Sequence, residues 1–413
     1  MNLIKNKDFC LIIVGNFVSL LGTQMLEIAL SLYILKTTGS ATKFASVLSI
    51  ALIPMLLLGP IGGVFVDWFN RKKIIVLLDF LSGISILYYA FEFWINKGLT
   101  INQIYLLTII LSTISAIFNP AMNTVIPSVV KKEQLLDANG IHSVSKNTAN
   151  FLGPMIAGTL FGFCGLLPIL ILDSASFFIS SFSEMFISIP LNVNSENIGV
   201  NRFIKDFKEG LAFIKNKKIL MNIIIMGLII NFACSPIFSV GFNYISKIDL
   251  GVSDYEFGVL NSIIMMAAFF APILCKIVSK KFKLGKILFL DIFIVSLMYF
   301  VVAFICSKRY LGLFSTNSIP YISLVVVGFI LILVVSTGNL ALNVIIQKET
   351  PILYLGRINS VLNTSLMAAI PIGQMIFGVL FDKYPSSICV IISAVILFIT
   401  VNLFKRSLFE DES

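Results

Sequence analysis

The sequence predicts an all-α integral membrane protein, with twelve transmembrane helices in two six-helix bundles related as parallel repeats and both termini cytoplasmic. Three observations predict it. Hydrophobic residues make up 58% of the 413 and charged residues only 12%, about half the charge fraction of a soluble domain, so the apolar surface needs lipid as well as a core. Hydrophobic segments recur at lengths of about 20 residues or more, enough at 1.5 Å per residue to cross a hydrocarbon layer of about 30 Å. None shows the period-two alternation of barrel strands. Third, the second half of the chain repeats the first at a nearly constant offset.

The elements follow in order. Helix 1 is expected at 9–35; it is too long for a cleaved signal and lacks a small-x-small cleavage site. Helix 2, 41–66, is apolar until Asp67, and helix 3, 74–95, starts after Arg71, Lys72 and Lys73. Helices 4 and 5 are expected at 101–126 and 140–164, the latter carrying Lys146, expected to snorkel, and His142, the one histidine, expected to be incidental. Helix 6, 167–190, puts Asp173, Ser176, Ser180 and Glu184 on one face, with both acids expected to reach an interface. Residues 191–218 are polar and basic and read as a cytoplasmic linker between an N-terminal bundle, 1–190, and a C-terminal bundle, 219–413. The linker is expected to carry a short amphipathic helix with Phe203, Phe207, Leu211 and Phe213 or Ile214 on its apolar side. Helices 7 to 12 are expected at 219–243, 256–278, 285–306, 319–345, 357–381 and 386–404.

Basic residues fix the orientation. With the N-terminus cytoplasmic, 23 of the 30 Lys and Arg fall in inside loops, which also accounts for the net charge of +9 without nucleic acid.

The repeat is visible in two offsets. "LGPMIAGTLF" at 152–161 lies over "IGQMIFGVLF" at 372–381, with six of ten positions identical, and Asn139 over Asn359, at an offset of 220. Pro60 over Pro272 and Asp79 over Asp291 share an offset of 212. Both offsets map a helix onto the one six places later, as in bundles related by an axis along the membrane normal. Asp79 and Asp291 are expected to pair with nearby loop bases.

"GGVFVDWFNRKK", between helices 2 and 3, supplies Gly63, Asp67, Arg71 and Lys72 at the spacing of the loop motif G-x-x-x-D-R-x-G-R-K. With the twelve helices and basic central linker, it resembles the major facilitator superfamily over almost the whole chain. Trp68 and Asn70 depart from the motif, and Asn70 is expected to hold the left-handed turn of the missing glycine. An acid at a helix C-terminus is disfavoured by the helix dipole, so Asp67 needs a compensating partner. The resemblance implies that the partner is helix 11, beginning near Arg357, and that the cluster locks the outward-open state. "NPAMNTVIPSVVKKEQLLDANG" followed by "FLGPMIAG", and "TPILYLGRINS" followed by "IPIGQMIFG", resemble bacterial macrolide-efflux and enterobactin-exporter-like permeases. "ANFLGPMIAG" in helix 5, with Gly153, Pro154 and Gly158, resembles the G-x-x-x-G-P-x-x-G-G motif of drug/proton antiporters; tight packing is its other reading. Helix 11 repeats it more weakly at Gly373 and Gly378.

Polar stripes mark four apolar helices as candidate cavity walls. On helix 1, Asn16, Ser19, Thr23, Gln24, Glu27 and Ser31 project onto one face about 140° wide. Helix 4 carries Thr108, Ser112, Ser115, Asn119 and Asn123; helix 7 carries Asn231, Ser235 and Ser239; helix 10 carries Ser336, Asn339, Asn343 and Gln347. Helices 1, 4, 7 and 10 are the cavity-lining helices that the resemblance implies, although Ser, Thr and Asn also serve as interhelical glue. An ionised acid at membrane depth costs about 3 kcal/mol or more, so Glu27 is the candidate proton-coupling residue; a neutral helix contact is the rival reading.

The composition excludes several classes. One His leaves no zinc cluster or His-based triad, the six Cys show no C-x-x-C pair, and no phosphate-binding G-x-x-x-x-G-K-[ST] loop exists. No enzyme, metal or cofactor is expected. The expected function is secondary, proton-coupled export of a lipophilic or amphipathic small molecule across a bacterial inner membrane, with protons and lipid as further partners. An importer, uniporter, channel or non-transporting scaffold is the alternative.

Overall fold

The computed structural model describes residues 3–68, 70–131, 134–188, 212–215, 217–350 and 355–410. Among these there is no strand. The helices are α1 (Lys7–Thr38), α2 (Ala41–Trp68), α3 (Arg71–Asn96), α4 (Ile101–Val129), α5 (Leu135–Cys164), α6 (Leu166–Met185), α7 (Lys218–Pro236), α8a (Asp254–Met266), α8b (Ala271–Val278), α9 (Leu284–Ile305), α10 (Ser318–Glu349), α11 (Leu355–Lys383) and α12 (Ser386–Glu410). Ten described helices are long and apolar enough to span a bilayer, and the bent pair α8a–α8b makes eleven if it is one span. The helix α5 is absent from that set, and its first half carries Asp137, His142 and Lys146. The linker helix expected over 203–214 falls outside the described residues except at its end, where Ile214 is fully buried against Leu220, Ile346 and Ile358.

Local chemistry explains the ends and breaks. Gly39 and Gly251, 212 residues apart, both turn at positive φ, +61° and +62°, where a side chain would be strained. Thr100 and Gln103 form a capping box at α4. Asn70 does not hold a left-handed turn. Its φ is −64°, and its side chain caps α3 by accepting from the Lys72 and Lys73 amides at 3.0 and 3.3 Å, the ordinary use of Asn before a helix. Pro236 cannot donate to the Phe232 carbonyl, and α7 continues through π-helical turns at Ile237–Gly241 and Ile245–Asp249. Pro272, at the start of α8b, follows a short 3-10 turn and a 40° bend.

The chain divides into two compact units, 1–36 with 50–203 and 254–262, and 37–49 with 204–253 and 263–413. In the first, α6 packs along α3, and its serines donate to backbone carbonyls there, Ser174 to Gly83 at 2.8 Å and Ser181 to Val76 at 2.9 Å. Its core includes Phe9, Ile12, Ile75, Met122 and Val125. A Cβ at Gly158 of α5 would lie 2.5 Å from the Asp254 carbonyl oxygen and 2.8 Å from the Gly258 Cα, so the backbones of α5 and α8a touch because neither carries a side chain there.

The second unit repeats the scheme. Ser393 of α12 donates to the Ala233 carbonyl of α7 at 2.8 Å, and Asn231 of α7 donates to the Leu366 carbonyl of α11 at 3.0 Å. Gly378 of α11, 220 residues after Gly158, meets Ala45 and the Ala41 carbonyl in the first turns of α2. Asp382 then caps that helix, accepting from the Ser40 hydroxyl at 2.7 Å and the Ala41 and Thr42 amides at 2.6 and 3.0 Å.

Candidate functional site

In the first unit the polar stripe of α1 is graded along its length. Asn16 is buried, and its side-chain oxygen lies 3.2 Å from Nε2 of His142, which therefore joins the stripe that sequence reasoning left it out of. The Ser19, Thr23 and Ser31 hydroxyls turn back onto backbone carbonyls of α1, satisfying themselves within the helix. Gln24 is half-buried against Gly153 of α5. Glu27 is exposed and has no basic partner among the described residues. On α4, Ser112 is buried and donates to the Thr108 carbonyl, Ser115 is half-buried, and Asn119 and Asn123 are exposed one turn apart. Pro154, like Gly153 and Gly158, is buried in packing.

In the second unit, Asn339 and Asn343 of α10 are exposed one turn apart. They stand 220 residues after Asn119 and Asn123, so the offset that relates helix 5 to helix 11 also pairs these amides. Both units thus present the same pair of side chains on their fourth helix. Ser336 is half-buried on the same helix. Asn231 and Ser235 of α7 line a cavity of about 290 Å³ with Asn339, Phe238 and Asp291.

The acids of the bundles correct the sequence expectation. Asp79 is 1% exposed and Asp291 partly buried, and neither pairs with a base among the described residues. Asp173 and Glu184 do not reach an interface; they are 1% and 0% exposed. Gly22 of α1 leaves room for the carboxylate of Asp173, and Ser180 of α6 lies beside Asp79. Helix periodicity put these groups on one face; it did not show that α1 and α3 cover that face. Lys146 is exposed. Arg71 and Lys72 are half-buried at the start of α3, whereas the side chains of Gly63, Asp67 and Arg357 lie outside the described residues. One ion pair that sequence reasoning missed joins Lys36 at the end of α1 to Asp254 at the start of α8a, at 3.4 Å. No group of His, Cys, Asp and Glu among the described residues is arranged to hold a metal.

The sequence model of the Major Facilitator Superfamily matches residues 12–374. Macrolide efflux protein A of Streptococcus pyogenes is 24% identical over 385 residues, covering 89% of this chain and 88% of that protein. The multidrug efflux pump Tap of Mycobacterium bovis (strain BCG / Pasteur 1173P2) is 24% identical over 241 residues, 56% of this chain and 57% of that one. Among solved structures, the nucleoside transporter NupG covers 99% of this chain and 100% of its own at a TM-score of 0.78 and 13% identity. A bacterial homologue of the iron transporter ferroportin, in an inward-facing state, covers the same shares at 0.75 and 15%. At such identities the solved structures show the fold alone.

Proposed function

The chain belongs to the major facilitator superfamily, and on that premise we propose that it exports a lipophilic or amphipathic small molecule in exchange for protons. It is a transporter, a multi-pass protein of the bacterial cell membrane, with a small molecule as its substrate. The direction and coupling rest on two supports: the relatives named as efflux proteins, and polar side chains left open on apolar helices.

The second support carries the reading. Glu27, Asn119, Asn123, Asn339 and Asn343 are exposed on α1, α4 and α10, three helices long and apolar enough to cross a membrane. A polar group facing hydrocarbon costs several kcal/mol, so exposed amides and a carboxyl on such helices belong on a wet face. A carrier needs such faces opened to one compartment at a time, by alternating access. A scaffold does not need them. Glu27 takes the coupling role, holding a proton in one state and releasing it in another.

The test is transport into inverted membrane vesicles, with a panel of amphipathic compounds and an imposed pH gradient, lumen acid. Saturable, gradient-dependent uptake is expected. Uptake indifferent to the gradient would replace proton exchange with uniport or another ion, and non-saturating flux would make the protein a channel.

A further inference from the structure

The repeat places one acid in each unit, Asp79 on α3 and Asp291 on α9, and the two have different surroundings. In the first unit Asp79 is covered. It is 1% exposed with Ser180 of α6 beside it, and Phe118 of α4 packs against the core of Ile75, Met122 and Val125. The position 220 residues after Phe118 is Gly338 of α10, and the Asp291 carboxylate lies directly against it, close enough that an added Cβ would collide with its oxygens and its Cγ. Where α4 carries a phenyl ring, α10 carries no side chain, and the space beside Asp291 stays open. The cavity of about 290 Å³ occupies it, walled by α7, α9 and α10 and closed by Leu366 of α11 and Leu397 of α12.

The lining has one chemical sense. Asp291 Oδ1 is buried with no hydrogen-bond partner among the described residues. Asn231 gives its amide N–H to Leu366, which leaves its oxygen as an acceptor. The Cys234 thiol is engaged by the Tyr299 hydroxyl at 3.1 Å. No Lys or Arg lines the cavity among the described residues. Phe238 presents a ring held in place by stacking on Phe242, with centroids 5.7 Å apart and planes 8° apart. Apart from Ser235, Asn339 and two glycines, the remaining walls are Ile, Val, Leu and Met. An uncompensated carboxylate, spare acceptors and an aromatic ring in an apolar chamber are complementary to a positive charge on an organic body.

We infer that the C-terminal unit contains its own binding site for a small organic cation, with Asp291 as counter-ion, Asn231 and Asn339 as polar partners and Phe238 as the face against which the cation lies. The volume is at the low end for ligand pockets, about 300–1,000 Å³. It admits a single-ring ammonium compound and is too small for a macrolide, the class after which the relative of Streptococcus pyogenes is named. It deepens the export reading by naming a substrate class, and it rests on that reading only for its role, not for binding.

The experiment measures equilibrium binding of benzyltrimethylammonium to purified full-length protein in nanodiscs without any gradient, against its neutral isostere neopentylbenzene. The cation should bind at least tenfold more tightly, a difference of about 1.4 kcal/mol. Asp291→Asn, which keeps the shape, should remove that preference, while Asp79→Asn, at the equivalent acid, should retain it. Equal binding of cation and isostere by the unaltered protein, no binding at all, or a preference that survives Asp291→Asn would overturn the site. The wild-type comparison decides the matter even if the variants fail to fold. Binding without gradient-driven export would leave the site and remove the transport reading; export with no cation preference would do the reverse.

Discussion

Single residues decide the chemistry. Glu27 combines exposure with a place in an apolar span and no cation beside it, so its cheapest route to neutrality is a proton. Glu27→Gln keeps the hydrogen-bonding shape and removes the exchangeable proton. Vesicles carrying it should lose pH-gradient-driven export while retaining substrate binding; export that persists at the wild-type rate would assign coupling elsewhere. Asp382 acts through geometry. Three donors at the start of α2 converge on its carboxylate, so Asp382→Ala should cost about 1 kcal/mol, the usual value of a lost cap, seen as a lower unfolding temperature in detergent. An unchanged temperature would mean that water replaces the cap without loss.

At the scale of elements, small residues set how closely helices approach. Gly158 meets backbone atoms of Asp254 and Gly258, which cannot rotate away as a side-chain tip can. Gly158→Val should therefore cost more than the 1–3 kcal/mol typical of overpacking, whereas Gly140→Ala, with nothing within 4 Å, should be neutral or slightly stabilising. Thermal unfolding of the two proteins side by side checks this, and equal effects would refute the close-contact account. Within the helix 5 pattern that resembles an antiporter motif, Gly158 makes this close contact with α8a, and Gly378 of α11 makes the equivalent approach to α2. The bend between α8a and α8b falls where Pro272 interrupts the hydrogen-bond ladder, while α2, with Pro60 at the equivalent place, runs unbroken from Ala41 to Trp68.

For the whole molecule, three helices belong to both units: α1 passes from one to the other between residues 36 and 37, α2 between 49 and 50, and α8a between 262 and 263. We propose that the loop after α2, with Gly63, Asp67, Arg71 and Lys72, governs the change of state. Asp67→Asn should then lower turnover more than substrate affinity, read as a fall in kcat with little change in KM. A rise in KM with kcat intact would put the acid in a binding role instead.

The sequence by itself determined the membrane class, the positions of the apolar helices and the repeat. A hydrocarbon layer imposes a minimum span and requires every backbone group to be satisfied within it, and those demands are written locally, residue after residue. The exposed pair Asn339 and Asn343 was legible too, since it restates Asn119 and Asn123 at the repeat offset. Tertiary structure alone decided that Asp173 and Glu184 are covered, that His142 meets Asn16, and that Asp291 faces a cavity while Asp79 is covered. Burial and vacancy depend on what another helix brings to the same place, as Gly338 of α10 does beside Asp291. Periodicity along a single helix carries no record of its neighbour.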